Sequence, residues 1–246
     1  MILYFLTHEE EMLRLDFRKL RIRWEYLLGI IKIGLPAGLQ SMVFSLSNVV
    51  IQAAINSFGS DGIAGSTAEQ NFEFMAYFVI NAFAQTATTF TSQNFAAQDK
   101  ERCKKIYRLC TFIGLASCLG LSLIFLIGRH LFIQIFSTDE NVIHYAMIRM
   151  WSVCLLELLT GVYEISGGCL RGMGHSMTPA VITVLGTCVF RLVWVKTIYA
   201  AHRSYLMLMI VYPVSWVITG TAVTVAYFII RRKEFAQIGK RRADII

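Results

Sequence analysis

Glu73, Glu157, Glu164 and Arg191 stand inside long apolar stretches of this sequence, with Lys196 near the outer end of one of them. A charge at the centre of a bilayer costs at least about 2.5–3.5 kcal/mol on insertion scales, so residues of these types are held there by partners or by function. An arginine in that setting needs a carboxylate or carbonyl partner. At the helical rise of about 1.5 Å per residue, Arg191 and Glu157 fall at similar depth, while Glu164 lies on the face of Glu157 about two turns further in. The spacing therefore pairs Arg191 with Glu157 and leaves Glu73 and Glu164 for a proton, Na⁺ or a cationic substrate. Two readings stay open at this stage. The carboxylates are fixed structural ion pairs, or one is unpaired and takes up a cation.

Uncharged polar residues repeat at helical spacing around these charges. Ser41, Ser45, Asn48, Gln52 and Asn56 form one stripe, and Glu69, Glu73, Tyr77 and Asn81 form a second, followed by Thr88. Polar side chains in hydrocarbon must face protein or water. Hydrogen bonding between helices accounts for single residues, at about 0.6–2 kcal/mol per contact. A full stripe in register describes the wall of a wet, amphiphilic cavity. The candidate substrate- or ion-binding residues are thus Glu73, Glu157, Glu164, Arg191, Asn48, Gln52, Tyr77 and Asn81.

The elements that must position these residues follow from composition. Of 246 residues, 56% are hydrophobic and 16% charged, against about 25% charged in ordinary globular chains. That balance excludes a soluble enzyme. The net charge of +7 gathers in short blocks between apolar runs, as in a membrane protein and unlike a nucleic-acid binder. Stretches long enough to cross a bilayer occupy about 33–57, 68–92, 105–128, 144–168, 179–200 and 207–230. They form a six-helix membrane lobe over 29–230, followed by a basic tail over 231–246. The three prolines are read at helix starts (Pro36, Pro179) or within a turn of one (Pro213).

Lys and Arg fix the expected orientation. Seventeen lie before the first stretch, in the second connection, at Arg171 and in the tail, whereas the opposite side has Arg129 and Arg203. Both termini are expected in the cytoplasm of a multi-pass protein of the plasma membrane. Arg149 and Lys32 read as snorkelling or helix-end charges. Within residues 1–28, Leu13, Phe17, Leu20, Trp24 and Leu27 make one apolar face opposite Arg14, Arg18 and Arg21. The segment 12–28 is an amphipathic helix at the inner-leaflet interface or an ordinary solvated linker helix. Met1–Leu6 is too short for the apolar core of a signal peptide.

Enzyme and cofactor signatures are missing. The sequence has no HExxH, GxSxG or paired CxxC. Gly172-Met173-Gly174 lacks the GK[ST] ending and the preceding strand of a phosphate loop. The six cysteines sit in or beside apolar segments as small apolar fillers. No enzyme activity, metal or cofactor is expected.

Several segments together resemble the multidrug and toxic compound extrusion (MATE) family, in the second of its two six-helix lobes. They are Ile33-Gly34-Leu35-Pro36-Ala37-Gly38-Leu39-Gln40, then Gln52–Gly59 with Ile63-Ala64-Gly65. Thr89-Phe90-Thr91-Ser92-Gln93-Asn94-Phe95-Ala96-Ala97 follows, where Ser92 and Ala96 replace both glycines of the family's GQNxGA loop. Gly168-Cys169-Leu170-Arg171-Gly172-Met173-Gly174-His175-Ser176 with Pro179 resembles the RGxG…P loop, and Cys188–Trp194 completes the set. Glu73 and Glu164 fall where bacterial members commonly have glutamate. The resemblance, over about 30–230, implies an antiporter lobe that exports amphiphilic, often cationic drugs or toxins in exchange for Na⁺ or H⁺. It also implies a partner, either a complementary six-helix lobe or a second copy, since the family's cleft lies between two lobes. A non-transporting remnant or accessory membrane subunit is one alternative, and a lipid-intermediate flippase of the same superfamily is the other. A flippase would place more cations in its cavity than these residues supply.

Overall fold

A computed structural model describes residues 21–243. Among these residues the regular structure is entirely helical. The long helices are α1 (Trp24–Asn56), α2 (Gly59–Ala96) and α3 (Lys100–Ile127). The short α4 (Arg129–Gln134) leads to α5 (Glu140–Ser152) and α6 (Leu158–Gly172), which make one span interrupted by a tight turn at Cys154–Leu156. The next span combines α7 (Met177–Thr183) and α8 (Phe190–Trp194) with wider π-type turns at Val184–Val189 and Val195–Tyr199. Last come α9 (Tyr205–Met209) and α10 (Val211–Ala243).

Local chemistry sets the helix starts. Asp99 Oδ1 accepts from the backbone N–H of Arg102 at 2.9 Å, and Asp139 Oδ1 from that of Asn141 at 2.8 Å. Ser204 Oγ does the same for Met207 at 3.2 Å ahead of α9. Each side chain satisfies a donor that the helix leaves unpaired. These caps fall in the connections marked by polar residues in the sequence.

Five helical stretches are long and apolar enough to cross a membrane: Gly38–Asn56, Lys100–Ile127, Glu140–Gly172, Met177–Tyr199 and Tyr205–Ile238. They correspond to the expected first, third, fourth, fifth and sixth stretches. The expected 68–92 stretch lies inside α2, whose 38 residues measure about 57 Å at 1.5 Å per residue. It is long enough to span but carries too much polarity to stand among the five. Packing gives the reason, because α2 is the central helix of the lobe, lying against α3, α5 and α6. Its Ala68, Ala76, Ala84 and Ala87 are buried, and the facing glycines of α6 allow close approach. A Cβ at Gly168 would lie 2.5 Å from Ala84 O, and one at Gly172 would lie 2.7 Å from Thr88 O. Small residues at such a seam let helix backbones meet where lipid provides no hydrophobic drive. A helix enclosed in this way can carry Glu69 and Glu73 without exposing them to lipid.

Three expectations change here. Pro36 lies well inside α1, not at its start, because the helix begins at Trp24. Of the expected amphipathic segment 12–28, residues 12–20 lie outside the described residues, and 24–28 are the first turns of α1. The fourth stretch, expected as one continuous helix, breaks between Ser152 and Leu158. All six cysteines are unpaired and buried.

Candidate functional site

The membrane-embedded charges form two separate centres. In the first, Arg149 of α5 is 1% exposed and lies against Glu69 and Glu73 of α2. Its Nε is 2.6 Å from Glu69 Oε2, and its Nη2 donates to Glu73 Oε2 at 2.6 Å. Nε also donates to Glu73 Oε2 at 3.1 Å, Nη1 meets Met209 Sδ at 3.8 Å, and the ring of Tyr212 lies 5.4 Å from the guanidinium. Arg149 stands in the last turn of α5, a helix-end position, but it is buried and paired and so does not snorkel to the membrane surface. Its helix starts at Glu140, four residues before the expected start at 144, and ends at Ser152, three residues after Arg149. Glu73, expected to be available to a coupling ion, is bound to this arginine.

The second centre is Arg191, also 1% exposed. Its Nε donates to Ser215 Oγ at 3.2 Å and its Nη1 to Asn48 Oδ1 at 3.3 Å. The guanidinium packs against the ring of Tyr212 at 4.4 Å and that of Phe44 at 5.3 Å. Among the described residues it makes no ion pair with a carboxylate, and its Nη2 has no hydrogen-bond partner. The expected Arg191–Glu157 pair is thus not formed. Glu157 sits at the start of α6, just past the break, and its Oε1 accepts from Thr160 Oγ1 at 3.1 Å. Its Oε2 is buried and has no partner. Glu164 pairs instead with Arg171, about two helical turns along α6, at 3.5 Å. The distribution is the reverse of the expected one. Glu73 and Glu164 are paired, and Glu157 is the carboxylate left over.

One cavity of about 320 Å³ gathers most of these residues. Asn48, Glu73, Tyr77, Glu157, Glu164 and Arg191 line it, together with Ser41 and Ser45 of the first stripe. Gln52 and Asn81 do not line it. Gln52 donates to Asn56 at 3.1 Å and Asn81 to Tyr77 Oη at 3.4 Å, so each is engaged along its own helix. Lys196 is exposed and stands apart. Phe44, Tyr212 and Trp216 are among the aromatic residues of the wall. Their signal in the sequence is weak, because an aromatic at helical spacing in an apolar run describes a lipid-facing or core residue equally well. No cluster of three His, Cys, Asp or Glu suited to a metal occurs among the described residues.

This architecture has relatives. The family model MatE matches residues 36–195. The chain belongs to the MatE family. MATE proteins among its relatives include the probable multidrug resistance protein YoeA of Bacillus subtilis, 22% identical over 68% of this chain and 36% of its own length. The probable multidrug resistance protein NorM of Thermotoga maritima is 21% identical over 69% and 37% respectively. The multidrug export protein MepA of Staphylococcus aureus is 23% identical over 75% and 40%. Solved MATE structures share the fold. A MATE in complex with MaL6 aligns with a TM-score of 0.79 at 17% identity, covering 97% of this chain and 54% of that one. The bent form of the Vibrio cholerae MATE transporter VcmN gives 0.79 at 18% identity, covering 91% and 51%. The chain therefore spans about two fifths of the curated MATE relatives and about half of these structures. MATE proteins are membrane transporters, not enzymes, and the chain carries one MATE lobe.

Proposed function

We propose that this chain is the second six-helix lobe of a secondary antiporter of the plasma membrane, with α2 as the sixth crossing and both termini cytoplasmic. It exports amphiphilic, cationic drugs or toxins in exchange for Na⁺ or H⁺. The family membership supports export, and the cavity supports the site. The observation that carries the reading is Glu157, a buried carboxylate with one oxygen unpartnered, placed at a break in a membrane span and facing the cavity. Irregular backbone at membrane depth is tolerated where it lines a cavity, and an unpaired carboxylate there recruits a cation.

The polar wall of α1, with Ser41, Ser45 and Asn48 on the cavity, is the surface that a complementary lobe or a second copy covers. The test is efflux of ethidium from loaded cells that produce this chain together with its complementary lobe. Glu157→Gln is expected to leave the amount of folded protein unchanged and abolish the dependence of efflux on the Na⁺ or proton gradient. Glu164→Gln, which removes only the partner of Arg171, is expected to retain that dependence. Unchanged gradient dependence in Glu157→Gln overturns the coupling role. Absence of efflux in the unaltered protein, with its partner lobe present, favours a remnant or accessory subunit.

A further inference from the structure

Beside the connection that joins them, α2 and α3 enclose an open groove of about 490 Å³. Phe90 and Gln93 of α2 stand on one side of it, and Arg102, Lys105, Ile106 and Leu109 of α3 on the other. The groove shares no residue with the cavity. Its polarity is graded along the helix axes. Phe90 and Leu109 belong to the apolar stretches at 68–92 and 105–128, and they are 49% and 46% exposed. Gln93 and Arg102 lie just outside those stretches, and Lys105 stands at the edge of the second. Arg102 and Leu109 are about 10 Å apart along α3, at 1.5 Å per residue. The groove is thus apolar at one end and cationic at the other, and it crosses the expected boundary of the hydrocarbon.

Charge in this region is unbalanced. Asp99 pairs with Arg102 at 3.2 Å, and Glu101 pairs with Lys104 at 2.7 Å. Lys105 and Arg108, both exposed, make no ion pair among the described residues. Lys105 therefore brings an uncompensated charge to the groove, with the largely exposed Arg102 side chain beside it. A soluble anion makes no use of the apolar end, and a plain hydrocarbon chain makes none of the lysine. A phospholipid with a net negative headgroup satisfies both, and basic residues at the membrane surface attract such lipids.

We propose that the α2–α3 groove is a binding site for an anionic phospholipid. Its phosphate docks on Lys105, with Arg102 and Gln93 at hand, and its acyl chain lies against Phe90, Ile106 and Leu109. The site is independent of the cavity and of what the lobe transports.

The experiment places the purified chain in phosphatidylcholine bilayers, with Leu109→Trp as a reporter inside the groove. A minor share of the lipid is brominated, as phosphatidylglycerol or as phosphatidylcholine. Quenching of the added tryptophan, after subtraction of the signal from protein without it, reads which lipid occupies the groove. Brominated phosphatidylglycerol is expected to reach half-quenching at about one fifth of the concentration that brominated phosphatidylcholine needs, as one basic side chain near the surface contributes. In the same background Lys105→Gln should bring that ratio close to one, and Lys105→Arg should keep it. Lys104→Gln is the matched control, because it removes the same charge from the neighbouring residue, outside the groove, and should also keep the ratio. Equal quenching by the two lipids with Lys105 intact overturns the site. A fall in Lys104→Gln as large as that in Lys105→Gln overturns it too, since the attraction then belongs to the basic surface as a whole. Loss of the preference in excess soluble glycerol phosphate overturns the lipid as occupant. If Leu109→Trp does not fold, Phe90→Trp carries the reporter on the α2 side, with the same expected ratios.

Discussion

Arg149 and Arg191 are equally buried and touch the same ring, Tyr212, yet they are built in opposite ways. Arg149 ties α5 to two carboxylates of α2 and offers almost nothing to a ligand. Arg191 is held by a serine, an asparagine and two rings, with its Nη2 buried and without a hydrogen-bond partner. Burial alone therefore does not separate structural from functional charge in this lobe. What separates them is whether the protein itself supplies the counter-charge. Where it does, as at Arg149, the pair is a strut between helices; where it does not, as at Arg191, uncharged contacts hold the guanidinium.

The largest effect is expected at the strut. Arg149→Leu strands Glu69 and Glu73 in a site where both are nearly inaccessible to solvent. Removing one partner of a buried pair typically costs about 3–5 kcal/mol, so folded yield and melting temperature in detergent should both fall sharply. Replacing all three groups, as Arg149→Leu with Glu69→Gln and Glu73→Gln, should recover most of the loss. A single variant that melts within a degree or two of the unaltered protein would break the comparison, since Arg149 would then not be a strut.

The amount of this that was legible in the sequence differs between fold and site, for physical reasons. Span positions and the all-helical lobe follow from apolar length, and the caps at Asp99 and Asp139 fall where polar residues interrupt it. The ion pairs were misread because depth along a helix is countable while azimuth is not. Glu157 and Arg191 do lie on one cavity, but the break after Ser152 changes which way the rest of that span faces. No proline marks the break. The pairing of Arg149 is not legible because its two carboxylates lie on α2, 76 and 80 residues away in sequence, and spacing along one helix says nothing about which helix faces it. The partners of Arg191 come from α1 and α10, far apart in sequence, and serine or tyrosine there gives no periodic signal. Of the α1 stripe, Ser41, Ser45 and Asn48 reach the cavity, while Gln52 and Asn56 bond to each other beyond its end.

A smaller effect tests the frame shared by both centres. α2 carries Glu73 of the Arg149 centre, α6 carries Glu157 of the cavity, and Gly168 is where their backbones meet. The Cβ of Gly168→Val would lie 2.5 Å from a backbone oxygen, Ala84 O, that has no flexible end to swing aside. Overpacking of this kind costs about 1–3 kcal/mol, so the melting temperature in detergent should fall. Gly120→Val is the matched control, because a Cβ there meets nothing within 4 Å. Equal melting temperatures for the two variants would show that the α2–α6 seam is looser than this geometry.

The smallest stability effect is expected where the charge is least compensated, and it is the sharpest test of the contrast. Arg191→Met removes a guanidinium that no carboxylate among the described residues pairs with, so no anion is stranded. Ser215 keeps its own hydrogen bond to Tyr212 O at 2.7 Å, and Asn48, only half-buried, faces the cavity. The lost contacts are two hydrogen bonds to neutral acceptors and the ring packing. Against them stands the desolvation of a charge that no longer has to be buried, which costs several kcal/mol per ion before partners offset it. The balance should be about 1 kcal/mol or less in either direction, read as a shift of a few degrees in melting temperature beside the collapse of Arg149→Leu. Should Arg191→Met prove as damaging to folding as Arg149→Leu, the two arginines are both struts and the contrast between them fails.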